Sequence, residues 1–260
     1  GNNYSSEPYA FFDLNGKLYF FAKYNNNNYQ GLFQYNGDFT FNGSVSNDWN
    51  NKNNWNSLLK PGMTDVVTIP LGQNIDVTAN AYAKNVAING NVNLVSGNLD
   101  ISGIMTLANS AKITLNINNL NLKGTLSSLT GTNTSYVVTN GTGTVNIENV
   151  DTSRGTISLP IGTATNFNPV SFSNSGTSDT FSVRVSDGIT GTTNGAVNTT
   201  WEISEATIGG SNVNLNLGWN QAQENGTFDR NTAKIGHFVS GNWMQETSGA
   251  VSGSNPYTLL

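Results

Sequence analysis

The sequence predicts an all-β protein: a parallel β-solenoid of about nineteen residues per coil, preceded by a β-meander and followed by an antiparallel β-sandwich. The composition is the first reason, because only 10% of the residues are charged and the chain is rich in Asn, Gly, Ser and Thr, which favour turns over helices. The apolar remainder is rich in Val, Ile, Leu, Phe and Tyr, which suit strands. The other two reasons are a regular aliphatic repeat in the middle of the chain and short alternating segments after it.

The first region, residues 1–43, contains aromatic-rich segments separated by Asn and Gly. The separators are Asn15-Gly16, the run 25–28 and Asn36-Gly37. Asn-Gly is a strong hairpin signal because both residues tolerate the positive φ angles of a tight primed turn. We expect a meander of three or four strands, which is too small to bury both of its faces alone. Its segment "LNGKLYFFAKYNNNNYQGLFQYNG" resembles propeller-type repeats.

The second region, residues 44–150, carries the repeat. Apolar residues recur every nineteen positions in four predicted columns: Ile69, Ile88, Leu107, Leu126 and Val145; Ile75, Leu94 and Ile113; Tyr82, Ile101 and Leu120; Val67, Val86 and Met105. Triplets such as "VAI" and "ITL" alternate as strands do and lack the spacing of a helix. The pattern predicts about four stacked coils, with each column forming a buried aliphatic ladder.

Two tryptophans, Trp49 and Trp55, lie just before the first coil in "NDWNNKNNWNSLLKPG". A solenoid exposes apolar core and unpaired backbone at its ends and therefore needs caps. We expect the indoles to cover the first coil. The alternative is that they face outward as a sugar-stacking platform, and these two residues are the candidate ligand-binding residues of the sequence.

The third region, residues 151–260, has a different pattern. Seven short alternating segments are separated by turn signals such as Ser175-Gly176, Asp187-Gly188 and Asn225-Gly226. About seven short strands at this spacing favour an antiparallel sandwich. Trp201, Trp219 and Trp243 are expected in its core or at its rim.

The sequence offers little reactive chemistry. There is no cysteine, and the lone His237 lacks partners for a metal site or a nucleophilic triad. The acids of the predicted coils, including Asp76 and Asp100, do not stack on each other at the nineteen-residue interval, whereas glycosidases need two carboxylates about 5 to 10 Å apart. We therefore expect neither an enzyme nor a cofactor or metal site. The outward residues at the same interval form a partial threonine column, Thr68, Ala87, Thr106, Thr125 and Thr144, which leaves an ice-binding surface as a testable alternative.

Charge and hydropathy limit the partners. The net charge is −5, and the eleven basic residues are scattered, so no basic stripe for nucleic acid is present. No apolar run approaches the roughly 18 to 20 residues of a membrane span. We expect neither a nucleic-acid partner nor membrane insertion.

Residues 49–90, "WNNKNNWNSLLKPGMTDVVTIPLGQNIDVTANAYAKNVAING", resemble the capped start of solenoid modules in very large secreted proteins of Bacteroidota. The later segments "LPIGTATNFNPVSFSNSGTSDTFSVRV", "NTTWEIS" and "AKIGHFVSGNW" are similar to the module that follows in that group. The resemblance implies export by the type IX secretion system, contact with its outer-membrane components, and display as an adhesin, including in gliding cells.

Together these observations predict a non-catalytic adhesin-like scaffold on the cell surface or secreted, with the solenoid as a rigid spacer and the sandwich as a support or presentation module. The alternative is a polysaccharide-binding module or an accessory part of a secreted carbohydrate-active enzyme. Exposure of Trp49 and Trp55 discriminates between a capping and a sugar-stacking role for the indoles.

Overall fold

The computed structural model describes residues 8–14, 17–24, 29–35, 37–125, 127–139, 141–191 and 194–260. Within these ranges the chain is all-β, and its helical content is three short 3-10 helices, Lys52–Asn54, Thr152–Arg154 and Gln221–Gln223. None of the described helices is long and apolar enough to cross a membrane.

The first three strands form an antiparallel sheet in sequence order, as a meander predicts. They are β1 (Pro8–Leu14), β2 (Lys17–Tyr24) and β3 (Tyr29–Gln34). Aromatic rings pair across β1 and β2, with Phe12 and Tyr19 stacked at 5.7 Å between centroids. The predicted turns at Asn15-Gly16, 25–28 and Asn36 lie outside the described residues.

The next fifteen strands build the parallel β-solenoid, which has about five turns. They are β4 (Asp38–Thr40), β5 (Val66–Ile69), β6 (Asn74–Val77), β7 (Ala81–Ala83), β8 (Asn85–Ile88), β9 (Asn91–Leu94), β10 (Leu99–Ile101), β11 (Ile104–Leu107), β12 (Lys112–Thr114), β13 (Leu120–Leu122), β14 (Ser128–Thr130), β15 (Tyr136–Val138), β16 (Val145–Val150), β17 (Ile157–Leu159) and β18 (Ile161–Gly162). Fourteen of them lie in three parallel faces, ordered β4-β5-β8-β11-β14, β6-β9-β12-β15-β18 and β7-β10-β13-β16, while β17 joins another sheet. Parallel pairing thus begins at β4, before residue 44, and continues to β18, past residue 150.

Two predicted columns are confirmed on the first face. Val67 pairs with Val86 and Val86 with Met105, and the neighbouring column Ile69, Ile88 and Leu107 keeps the same register. All these side chains are buried, because alternation along each strand turns them into the coil. Leu126, which the nineteen-residue interval predicts as the next member of the Ile69 column, lies outside the described residues.

The other two columns, and the place of Val145, were predicted wrongly. Ile75 pairs with Val92 and not with Leu94, and Tyr82 pairs with Asp100 and is 37% exposed. Val145 pairs with Leu120 on the third face. The reason is that the corners between faces differ in length, so no single interval holds around the coil.

The intervals on the second face make this visible. Seventeen residues separate Ile75 from Val92 and twenty-one separate Val92 from Ile113. Twenty-four separate Ile113 from Val137 and again Val137 from Ile161. The coils therefore lengthen along the chain while their buried ladders stay continuous.

After the solenoid the pairing becomes antiparallel. The remaining strands are β19 (Val170–Asn174), β20 (Asp179–Asp187), β21 (Thr199–Glu205), β22 (Val213–Trp219), β23 (Gly236–Val239), β24 (Asn242–Gln245), β25 (Ser252–Gly253) and β26 (Tyr257–Leu259). β20 pairs with β16 and β21 with β20, which extends the third face of the solenoid. β17, β19, β22, β26 and β25 form a second antiparallel sheet, and β23 and β24 form a hairpin.

One apolar core runs from the solenoid into the antiparallel strands. Phe172 of β19 meets Phe181 of β20 with 5.3 Å between ring centroids, and both rings are buried. The predicted strand segments of residues 151–260 are thus present, but β20 and β21 continue a solenoid face, because β16 leaves its edge open to an antiparallel partner.

Candidate functional site

Trp49 and Trp55 form the centre of an aromatic cluster below the first complete coil. Both indoles are buried, and they meet edge to face at 4.9 Å between centroids. Phe41 packs on Trp55 at 5.2 Å, and Phe39, which pairs with Val67, lies at 6.2 Å from the same ring. The cluster therefore continues the aliphatic columns and closes the end of the solenoid.

Polar contacts hold this cap in place. The indole N–H of Trp55 donates to the Trp49 carbonyl at 2.8 Å. The buried Asn54 side chain accepts from the backbone amides of Val45 and Ser46 and donates to the Asp48 carbonyl at 2.7 Å. Asn54 is the residue that sequence reasoning missed here, since one amide among many Asn residues gives no signal of its own burial.

The sugar-stacking alternative for Trp49 and Trp55 fails on exposure. A sugar platform needs an open ring face, whereas Trp49 is 1% and Trp55 is 0% exposed. Both indoles instead belong to the buried core, where Trp55 meets Trp49, Phe39 and Phe41 edge to face.

Amide side chains form ladders on the outside of the coils. Asn93 donates to Asp76 at 3.1 Å and accepts from Asn116 at 2.7 Å. On the third face Asn121 donates to Asp100, and Asn146 donates to Asn121 at 2.8 Å. Since an amide carries both donor and acceptor, stacked Asn residues satisfy each other from coil to coil.

A second kind of asparagine column binds the backbone. Oδ1 of Asn80 accepts from the amide of Asn98, whose own Oδ1 accepts from the amide of Asn119. Asn119 in turn accepts from the amide and hydroxyl of Thr144. These residues recur at intervals of eighteen and twenty-one, a signal that the aliphatic search at a fixed nineteen did not detect.

The outward threonine column is interrupted. Thr68 pairs with Ala87, Ala87 with Thr106, and Thr106 with Thr130 in place of the expected Thr125. Thr144 lies beside the third face. The flat regular threonine array that the ice-binding alternative requires is therefore limited to a short irregular segment.

Titratable groups are dispersed. Among the described residues no group of three or more His, Asp and Glu side chains has a geometry that could hold a metal ion. His237 is exposed and faces Glu246 at 3.3 Å. Asp48 and Asp76 meet at a bridge, but Asp48 accepts from Thr78 at 2.8 Å and Asp76 from Asn93, so both carboxylates have internal partners.

Lys112 and Tyr136 form a cation–π pair on the second face. The ammonium nitrogen lies 3.0 Å from the centroid of the ring, and Tyr136 itself packs against Phe167 at 5.4 Å. Burial lowers the pKa of Lys112 to about 8. Burial also raises the pKa of Tyr136, whose hydroxyl donates to the Thr163 carbonyl at 3.2 Å.

Two arginines fasten the later loops. Arg154 donates to the carbonyls of Gly124, Glu148 and Ser127, which ties the 3-10 helix after β16 to the preceding coil. Arg230 lies 3.8 Å from the Tyr257 ring and makes a two-point contact with Glu224.

Glu224 is held in its charged form by its surroundings. Its burial would raise its pKa, but the hydrogen bonds from Arg230 and from the Trp219 indole outweigh this, so that the pKa lies below its usual value.

An open groove lies where the last strand of the first face meets the second antiparallel sheet. Its volume is about 290 Å³. Ser158 of β17, Ser171 of β19, Asn216 of β22 and Thr258 of β26 form its floor. Ser171 alternates with the buried Val170 and Phe172, so the floor is the sheet face that points away from the core.

The walls of the groove are apolar. Leu129 comes from the last strand of the first face, and Pro160, Phe167 and Pro169 come from the segment between β17 and β19. No charged residue lines the groove. This site brings together residues that sequence reasoning did not select, because they are separated by up to 129 positions, from Leu129 to Thr258.

No family model, curated protein or solved structure matches this chain.

Proposed function

We propose that the chain is a non-catalytic, adhesin-like scaffold fragment of a cell-surface or secreted protein. In this proposal the solenoid is a rigid spacer, and the antiparallel strands support or present a binding surface. The likeness of residues 49–90 to the capped solenoids of secreted Bacteroidota proteins adds export by type IX secretion and contact with outer-membrane components.

The observation that carries the proposal is the way the solenoid uses its polar side chains. The Asn and Asp side chains of the outer faces bind one another or the next coil, as in the Asp76, Asn93 and Asn116 ladder. These hydrogen bonds between coils make the stack more rigid. They also leave few unpaired polar side chains on the outer surface of the solenoid. A spacer needs this property, whereas a catalytic face needs unpaired acids and bases.

We further propose that the third-face extension and the second antiparallel sheet together form the sandwich expected from the sequence. Phe172 and Phe181 meet between the two sheets. Trp201 and Ile203 of β21 and Leu215 of β22 are half-buried against the same core. A sandwich fused directly to a solenoid face would transmit load without a flexible linker.

A surface-adhesion assay tests the function. Beads carrying the chain should be retained on target cells or matrix under flow more than beads carrying a Trp55→Ala variant, whose cap is removed. Protease cleavage of the native protein on intact source cells tests its display. Equal retention of the two bead types, or complete protection of the native protein until the cells are lysed, would refute the proposal.

The second candidate function is a polysaccharide-binding module. The observation that favours it is the uncharged groove, with its polar floor and its apolar walls. Direct binding to polysaccharides in solution, without cells, separates this function from adhesion through another surface.

A further inference from the structure

We propose that the groove over β17, β19 and β22 binds a short segment of an uncharged glycan chain. The proposal deepens the adhesin-like function proposed above and rests on it, because it names what the presented surface would hold. Three observations carry it: the polar side chains of the groove floor lie in one row, their hydrogen-bonding groups have no partner within the described residues, and no charged residue lines the groove.

The floor is a straight row of polar side chains. Ser158 pairs with Ser171, and Ser171 pairs with Asn216. Neighbouring strands lie about 4.8 Å apart, so the row presents a polar group at each step across the sheet. That repeat is comparable with the length of one sugar ring in an extended chain.

These three side chains are not used by the fold. In the part of the chain that the structure describes, neither serine hydroxyl has a hydrogen-bond partner, and Oδ1 of Asn216 is buried without one. A buried acceptor without a partner costs free energy. Rotation of the Asn216 amide about its Cβ–Cγ bond would offer its donor or its acceptor to a bound hydroxyl.

The neighbouring row of the same sheet provides a comparison. Ser173 pairs with Asn214 in the next outward row of β19 and β22, and neither residue lines the groove. The chemistry of the two rows is the same, and only the Ser171 and Asn216 row lies beneath a wall. Substitutions in the two rows therefore distinguish binding in the groove from nonspecific binding to an amide-rich surface.

The walls suit a sugar better than an ion. The exposed part of Phe167, together with Pro160 and Pro169, offers apolar surface for the C–H face of a pyranose. No arginine or lysine lines the groove, and the net charge of the chain is −5, so an acidic glycan would be repelled. The ligand class that remains is rich in hydroxyls and uncharged.

A peptide is disfavoured by the geometry. An extended peptide adds to a sheet through the free backbone groups of an edge strand. Here β19 and β22 each have paired neighbours on both sides, and the groove lies over their face. Its volume of about 290 Å³ lies near the lower limit of ligand sites, about 300 Å³, which fits a few units of a longer chain.

The test uses the whole chain and a panel of polysaccharides: neutral dextran, mannan, xylan and β-glucan, with anionic alginate for comparison. Affinity electrophoresis identifies a binder, and calorimetry with its oligosaccharides measures affinity. Ser171→Ala and Asn216→Ala should each weaken binding about five- to tenfold, which is the effect of one lost hydrogen bond. Ser173→Ala and Asn214→Ala should leave affinity unchanged, and Ser171→Tyr, which fills the groove, should abolish binding with circular dichroism preserved.

Each outcome decides the proposal. Binding of a neutral glycan that all four alanine variants retain would overturn the groove as its site. Binding of alginate alone, of an uncharged peptide library, or of no polysaccharide would overturn the ligand class. Bead adhesion of the wild-type chain, measured in parallel, shows whether the adhesin-like function survives when the glycan inference fails.

Discussion

The same substitution, Trp to Phe, should have opposite consequences at two positions of this chain. The Trp55 indole N–H donates to the Trp49 carbonyl at 2.8 Å in a fully buried cap. The Trp201 indole N–H is also buried, but it has no partner among the described residues. Replacement by Phe therefore removes a satisfied donor at one site and an unsatisfied donor at the other.

The magnitudes follow from these contacts. Trp55→Phe leaves the buried Trp49 carbonyl unpaired, which costs about 1 to 3 kcal/mol, and the smaller ring adds about 1 kcal/mol of lost packing. Trp201→Phe loses a similar amount of packing but recovers about 1 to 3 kcal/mol from the orphaned donor. We expect a net loss of about 2 to 4 kcal/mol for Trp55→Phe and a net gain of about 0 to 2 kcal/mol for Trp201→Phe.

Urea unfolding followed by far-UV circular dichroism measures both variants without relying on the fluorescence of the replaced indoles. The comparison of midpoints is valid when the slope with urea is unchanged, since the slope reports the surface exposed on unfolding. Trp55→Ala should be worse than Trp55→Phe, because truncation of a buried aromatic side chain costs about 3 to 5 kcal/mol. Equal losses for the two Phe variants would refute the assignment of the two N–H groups.

Three further predictions concern the polar contacts. Asn121→Asp places a carboxylate against Asp100 and should lower the urea midpoint at neutral pH. The midpoint should partly recover below about pH 4, where one of the two carboxyl groups is protonated and can donate a hydrogen bond. A loss of stability that does not depend on pH would contradict this. Burial lowers the pKa of Lys112 to about 8 in the folded chain, against 10.5 in the unfolded chain, so the folded protein becomes more stable as pH rises between these values. The gain should be about 1 kcal/mol, because solvent screening and the contact of the ammonium with the Tyr136 ring both reduce it. Thermal unfolding at about pH 7 and about pH 9.5 should show this gain in the wild type but not in Lys112→Met. In Arg154→Lys, the single ammonium group cannot reach the carbonyls of Gly124, Glu148 and Ser127 together, so the free energy of unfolding should fall by about 1 to 3 kcal/mol. A fall of less than about 0.5 kcal/mol would show that water replaces these hydrogen bonds.

The fold could be predicted where side-chain alternation and stacking act together. On the first face, the corners of the first two coils together contain the same number of residues, so Val67, Val86 and Met105 fall at one interval and a fixed interval detects them. Counted from the other faces, the corner residues do not sum to one number, and the fixed interval assigns Ile75 to Leu94, which lies two residues beyond its true partner Val92. The nearest alternating position is also apolar, so composition alone cannot correct the error.

The cap was predictable because two tryptophans before an aliphatic repeat have few other buried positions available. The groove was not predictable, because its floor joins Ser158, Ser171 and Asn216 through antiparallel registers that the local sequence does not define. A Ser or Asn at an outward strand position is also ordinary in this chain. Ser171 and Ser173 lie on the same strand and both pair with β22, so only the position of the groove walls distinguishes them.

The change in coil length that limits the sequence repeat also produces the groove. From the first three coils to the last two, the interval on the second face grows to twenty-four residues. The added residues include one in the corner between β14 and β15, which begins at Gly131 of the groove lining, and Pro160 lies in the next corner on the same side, between β17 and β18. A strictly regular solenoid would present a flat side at this point, whereas the longer last turns raise a wall beside the second sheet. Shortening the corner between β14 and β15 should therefore remove the groove while the buried columns of the earlier coils, such as Ile69, Ile88 and Leu107, remain in register.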